Sequence, residues 1–173
     1  LIVDERERSR IRAAIDAAEV RGAPPPSDHQ LQTLLAESRT IAIVGASPNV
    51  DRPSHGVLLV LKSAGWRILP VNPSANALTD GVAGLPCFPD LATAAASLPN
   101  GERIDLVDVF RRSEDCVAIT RDAIAVGAGA IWLQLGIISP ESAALAAGAG
   151  VLFVQDRCTA IEMQRLKVSG PSA

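Results

Sequence analysis

Residues 40–56 read TIAIVGASPNVDRPSHG. An apolar run, Ile41–Val44, stops at Gly45, and a polar loop carrying Arg52 leads to Ser54-His55-Gly56 and the apolar Val57–Ala64. Strand, glycine turn and helix in that order are the opening unit of a parallel α/β sheet. Glycine lacks Cβ, so a turn or a ligand can come close to its backbone. The start of the following helix offers unpaired N–H groups and a dipole that favours an anion.

The alternation continues downstream. Arg67–Val71, Ile104–Phe110, Ala130–Leu135 and Val151–Val154 are apolar runs of strand length. Val57–Ala64, Ser113–Ala125 and Pro140–Ala147 read as helices between them. Ser113 with Glu114 and Asp115 predicts an N-cap and an acidic first turn. Ser139-Pro140-Glu141 predicts a second start, with proline at the first helical position. Gly127, Gly148 and Gly150 are expected to stop helices. Strands that are apolar almost throughout imply a sheet covered on both faces. The fold class expected is α/β, a Rossmann-like doubly wound parallel sheet with helices on both faces, preceded by two amino-terminal helices. The first of these is a short amphipathic helix within residues 4–21, over Ile11, Ala14, Ile15 and Ala18, stopped by Pro24-Pro25-Pro26. Ser27 or Asp28 then caps a second over Leu31, Leu34 and Leu35. The expected division is a helical extension over 1–39, a Rossmann-like ligand-binding domain over 40–168 and a tail over 169–173.

Composition narrows the function classes. The chain has 173 residues, enough for one full core, with 48% hydrophobic and 20% charged residues. A net charge of −3 argues against non-specific nucleic-acid binding, which needs excess basic charge. Two Trp, three Phe and no Tyr give no stacking platform for single strands. Cys87, Cys116 and Cys158 form no C-x-x-C, and His29 and His55 are the only histidines, so no disulfide framework or metal site is expected. No apolar run approaches the roughly 20 residues of a membrane span. The charged opening residues lack the apolar segment of a secretory signal. A cytoplasmic protein with no membrane and no nucleic-acid partner is expected.

In open α/β sheets, ligands bind beyond the carboxyl ends of the strands, where the strand order reverses. The apolar runs here end at Gly45-Ala46-Ser47, at Asn72-Pro73, at Phe110-Arg111-Arg112, at Gln134 and Gly136, and at Gln155-Asp156-Arg157-Cys158. Asp108 and Gln134 stand out, because a buried strand tolerates polar side chains only when they are hydrogen-bonded. They serve either a ligand or the backbone of nearby loops. A nicotinamide-binding loop has G-x-G-x-x-G and an acidic residue roughly 20 positions on. Only Gly45 of that motif is present, and the second strand ends in Val71-Asn72-Pro73 with no carboxylate for a ribose diol. A P-loop is excluded, since G-K-[ST] is absent.

The segments IAIVGASPNVDRPSHGV, GWRILPVNP, DLVDVFRRSED, AIWLQLGI and DRCTAIEMQRL, spread over residues 40–166, are similar to those of the CoA-binding protein family. These are small single-domain proteins whose fold is like the CoA-binding domain of the succinyl-CoA synthetase alpha subunit. The resemblance implies coenzyme A as cofactor. It implies that Gly45, Ala46 and Ser47, with Arg52, Ser54, His55 and Gly56, cradle the pyrophosphate. Val71, Asn72 and Pro73 would lie by the adenosine ribose, and Phe110, Arg111 and Arg112 by the adenine or its phosphates. Gln134 and Gly136 would line the pantetheine side. The family often follows V-N-P with lysine, a partner for the 3′-phosphate, whereas this chain has Ser74. Met163 replaces a usual histidine.

Individual residues keep competing readings. His55 is expected to cap its turn or donate to an anion rather than to act in catalysis, since no oriented partner adjoins it. Adjacent strand-end residues point apart, so one of Arg111 and Arg112 is expected to meet phosphate. Cys158, after Asp156-Arg157, is either a small core residue or a thiol that reaches the CoA thiol, making the protein a carrier or redox sensor. Cys87 and Cys116 are read as structural.

The expected function is a non-catalytic module that binds CoA or a CoA thioester (acyl-CoA), as carrier, sensor or subunit. The alternatives are an NAD(P)-binding regulatory or reductase domain, and the CoA-binding part of an acyl-CoA ligase system. A homodimer or an unknown protein partner is left open.

Overall fold

A computed structural model describes residues 24–171. The helix expected within residues 4–21 lies outside the described residues. The first described helix, α1 (Asp28–Glu37), is capped by Ser27, whose side chain accepts from Gln30 N–H while the Gln30 side chain accepts from Ser27 N–H. That reciprocal pair satisfies two otherwise orphaned amides.

Five strands follow: β1 (Thr40–Val44), β2 (Arg67–Val71), β3 (Leu106–Val109), β4 (Ala130–Leu133) and β5 (Leu152–Val154). All neighbours pair in parallel, in the spatial order β2-β1-β3-β4-β5. The helices between them are α2 (Pro53–Ser63), α3 (Ala75–Asp80), α4 (Leu91–Ala96), α5 (Cys116–Ala125), α6 (Pro140–Gly148) and α7 (Thr159–Arg165).

Strand side chains alternate between faces. Ile41, Ile43, Ile68, Leu106, Trp132 and Val154 point to one face, where Leu31 and Leu35 of α1 and Leu58 and Leu61 of α2 cover them, with Met163 of α7 at the edge. Ala42, Val44, Leu69, Val107, Val109, Ile131 and Leu133 point to the other, under α4, α5 and α6. Leu31 and Leu35 are wholly buried, and the Trp66 indole donates to the Leu35 carbonyl, so α1 is part of the core.

Three helix boundaries differ from expectation. α2 begins at Pro53 rather than Val57, because proline fits the first helical position. Ser113 does not cap α5: it opens a 3₁₀ turn, Ser113–Asp115, and its hydroxyl accepts from Ile138 N–H of the β4–α6 loop. Gly148 ends α6 from within, and Gly150 takes the left-handed conformation after it, with φ +69°. α3, α4 and α7 were not expected; they are short, and the first two are alanine-rich with little apolar periodicity.

Candidate functional site

The strand order turns back between β1 and β3: the chain leaves β1 for β2 on one side and returns across it to β3 on the other. In open α/β sheets this switch point, at the sheet's carboxyl edge between the loops after β1 and β3, is where ligands bind. Gly45 makes the turn there with φ +87°, a conformation that suits only glycine without strain. A Cβ at this position would stand 3.0 Å from Arg111 Cδ and 3.2 Å from the Phe110 carbonyl oxygen. Phe110 N–H donates to the Val44 carbonyl at 2.8 Å, locking the two strand ends together.

The loop after Gly45 is held by its own polar groups. Asn72, at the end of β2, donates from Nδ2 to the Ala46 carbonyl at 2.7 Å, and its Oδ1 accepts from Ser74 N–H. Ser47 N–H donates to Ser54 Oγ, and His55 Nδ1 donates to the Ser47 carbonyl at 2.9 Å. The imidazole thus caps the turn, and with Nδ1 as donor its Nε2 is the acceptor in the neutral ring. Arg52 stands at the N-cap of α2 with no side-chain cap on the helix. Pro53 has no N–H and the His55 N–H donates to the Arg52 carbonyl, so among the described residues the Ser54 and Gly56 amides are the ones at that end left for a ligand or solvent. Gly56 is exposed, and a Cβ there would meet nothing within 4 Å.

The two arginines after β3 part company. Arg111 crosses Gly45, with Nε 3.7 Å from Asp115 Oδ2. Arg112 is exposed and pairs with Glu114 at 2.8 Å. Val71 is buried, Asn72 half-buried and Pro73 exposed at the end of β2. Gly136, with φ +81°, is exposed beyond β4.

Among the described residues the Asp108 and Gln134 side chains do not bond to loop backbones; they bond to each other. Gln134 Nε2 donates to Asp108 Oδ1 at 2.7 Å and to Thr159 Oγ1 at 2.8 Å, and Thr159 Oγ1 donates to Asp108 Oδ2 at 2.9 Å. All three are buried. Burial pushes the Asp108 carboxyl up to about 7, while the bonds from Gln134 and Thr159 pull the other way. Thr159 is the site residue that sequence reasoning missed, because nothing local marks it.

Cys158 precedes Thr159 and is half-buried. Arg157 turns to Glu162, 3.4 Å away. Cys116 is buried, its thiol pushed up to about 11 by burial and by Asp115, and Cys87 is also raised by burial. Among the described residues no three His, Cys, Asp or Glu side chains gather as a metal site, and no helix is long and apolar enough to cross a membrane.

Comparison with known proteins agrees with the fold. The model of a family described as CoA binding domain matches residues 39–164. The uncharacterized protein YneT of Bacillus subtilis is 31% identical over 133 residues, covering 77% of this chain and 91% of its own. The cell-free ID.343 protein of Thermus thermophilus is 33% identical with a TM-score of 0.72, covering 82% of this chain and 99% of that one. A hypothetical protein of Pyrococcus horikoshii OT3 is 30% identical with a TM-score of 0.71, covering 82% and 93%.

Proposed function

This chain belongs to the CoA-binding domain family, and from that premise we propose that it binds coenzyme A or a CoA thioester in the crevice between β1 and β3, as a carrier, sensor or subunit. The observation that carries the reading is the approach of Arg111 to Gly45 beside the uncapped start of α2. In this reading that guanidinium and the amides of the turn and helix start that have no partner among the described residues serve a pyrophosphate together, a combination suited to its charge.

In this reading the pyrophosphate lies against the backbone of Gly45, Ala46, Ser47 and the first turn of α2, in the open space over Gly56. The fixed Asn72 and Val71-Pro73 border the ribose, Phe110 borders the adenine, and Arg111 closes over the phosphates. Gln134, Gly136 and Cys158 border the pantetheine. Ser74 supplies no charge for the 3′-phosphate, so the reading assigns it to a nearby guanidinium, Arg111 or Arg52, or to solvent. The end of β2 has Asn72-Pro73-Ser74 where a nicotinamide nucleotide would need a carboxylate, which favours CoA over NAD.

Thermal unfolding with CoA, dephospho-CoA, NADH and NADPH tests this, because a ligand bound only to the native state raises stability by mass action. CoA should give the largest shift. A larger shift with NADH removes the reading.

A further inference from the structure

Gln134 is 4% exposed, and both hydrogens of its amide are committed, one to Asp108 and one to Thr159. Its Oε1 accepts no hydrogen bond among the described residues. It is also not fully enclosed, since Thr120 Oγ1 is the one sealed side-chain atom without a partner among the described residues. The small exposed part of this side chain therefore includes a bare carbonyl oxygen. Gln134 shares the parity of Trp132, so it faces the side of the sheet covered by α2 and α7, the side on which the Gly45–Gly56 loop enters α2. α2 and α7 pack against each other there.

The orientation of the amide follows from charge. An ionised carboxylate only accepts hydrogen bonds, so Gln134 must turn Nε2 toward Asp108 and Oε1 away. A protonated Asp108 has an O–H that needs an acceptor. Thr159 Oγ1 could take it only by turning away its own buried hydrogen, which has no other acceptor among the described residues. The Gln134 carbonyl is therefore the group that can be rotated to meet it at no such loss. We propose that Asp108 is a positioning residue: through Gln134 and Thr159 it presents the Gln134 carbonyl to the crevice as an acceptor for a ligand N–H or O–H. Ligand binding is thereby coupled to the charge on Asp108. This rests on the reading that CoA occupies the crevice, and the ligand donors in question are the amide or hydroxyl groups of its pantetheine arm.

Among the described residues the surroundings supply no competing charge at hydrogen-bond distance. The register neighbours of Asp108 are Ile43 and Trp132. On α7 and the loop before it, Glu162 is paired with Arg157 and Arg165, and Cys158 is the next thiol. On α2, His55 is tied to Ser47, and beyond β3, Arg111 reaches toward Asp115. The position of the Asp108 carboxyl near 7, raised by burial, puts the switch within ordinary working pH.

Two measurements on the intact chain test this. In the ligand-free protein, NMR should show the Asp108 carboxyl carbon and the Gln134 side-chain amide titrating with one common midpoint between pH 5 and 9. Asp108→Asn should leave the Gln134 amide flat, and Thr159→Val, which removes one donor to the carboxylate, should move the midpoint upward. A Gln134 amide that does not respond, or a midpoint unmoved in Thr159→Val, overturns the coupling. In the second measurement, CoA titrations should weaken about tenfold one pH unit below the midpoint, as the competent fraction falls. Asp108→Asn should lack that step; the phosphate of CoA titrates alike in both proteins and cancels in the comparison. A wild-type profile retained in Asp108→Asn overturns the proposal. No CoA binding at any pH overturns the CoA reading instead, while the NMR result, which uses no ligand, judges the Asp108–Gln134 coupling by itself.

Discussion

Arg111 lies across Gly45 so closely that a single added carbon on the glycine would stand 3.0 Å from the arginine's Cδ. This contact ties the turn after β1 to the end of β3 at the point where the strand order reverses. It also makes Gly45 and Gly56 different kinds of glycine. Gly45→Ala meets both a positive φ and a backbone carbonyl at 3.2 Å, and should cost about 1–3 kcal/mol of stability. Gly56→Ala stands in open space within α2 and should raise stability by about 0.5–1 kcal/mol, as glycine does poorly inside a helix. CoA affinity should nevertheless fall in Gly56→Ala, since the pyrophosphate needs that space. Chemical denaturation and calorimetric titration of both variants check this; an unchanged affinity in Gly56→Ala moves the pyrophosphate elsewhere.

The arginines should separate in the same way. Arg111→Ala should weaken CoA binding by about 1.5–3 kcal/mol, the worth of a hydrogen bond to a charged group. Arg112→Ala should change it by less than about 0.5 kcal/mol, because that exposed side chain is spent on Glu114 and Asp115. Equal losses in the two variants would contradict the geometry.

Asp108 makes stability depend on pH with a definite sign. In the unfolded chain its carboxyl titrates near 4, and in the fold at about 7 because burial disfavours the charge. The folded state holds this proton more tightly, so the contribution is fully present below pH 4 and is lost as pH rises to 7. The size is roughly 4 kcal/mol, from the spacing of the two values. The stability of the wild type relative to Asp108→Asn should decline over that interval and level off above it. Denaturant midpoints from pH 4 to 8 measure the difference; a flat line refutes it.

Cys158 gives a covalent test of the pantetheine end. With CoA disulfide as the reagent, the Cys158 thiolate attacks one sulfur, forms a mixed disulfide and releases the other CoA as a thiol, with no outside oxidant. Intact mass spectrometry should show one CoA adduct, reversed by dithiothreitol and absent in Cys158→Ser. An adduct that persists in Cys158→Ser places the reactive thiol at Cys87 or Cys116 instead.

The sheet was legible because Ile41–Val44 and Ile68–Val71 are apolar without interruption and end in glycine or in Asn-Pro. A parallel strand buried on both faces reads that way. Helix ends carrying proline or serine signals, as at Ser139-Pro140, could be read as well. α3, α4 and α7 could not, because Ala75–Asp80 buries only Ala77, Leu91–Ala96 buries only Leu91 and Ala94, and Thr159–Arg165 is under two full turns. At the site, the polar strand ends were visible one by one, but their partnership was not. Asp108 is 26 residues from Gln134 and 51 from Thr159, so only the register of β3, β4 and the start of α7 brings them together. The role of Asn72 as a brace on the Ala46 carbonyl was hidden for the same reason.

A crystal grown with saturating CoA tests the central claim most directly. The account predicts difference density for a pyrophosphate within hydrogen-bond reach of the main-chain amides between Gly45 and Gly56, with the Arg111 guanidinium turned onto it. Density for CoA at another surface, or an empty crevice with Arg111 still lying over Gly45, would contradict it.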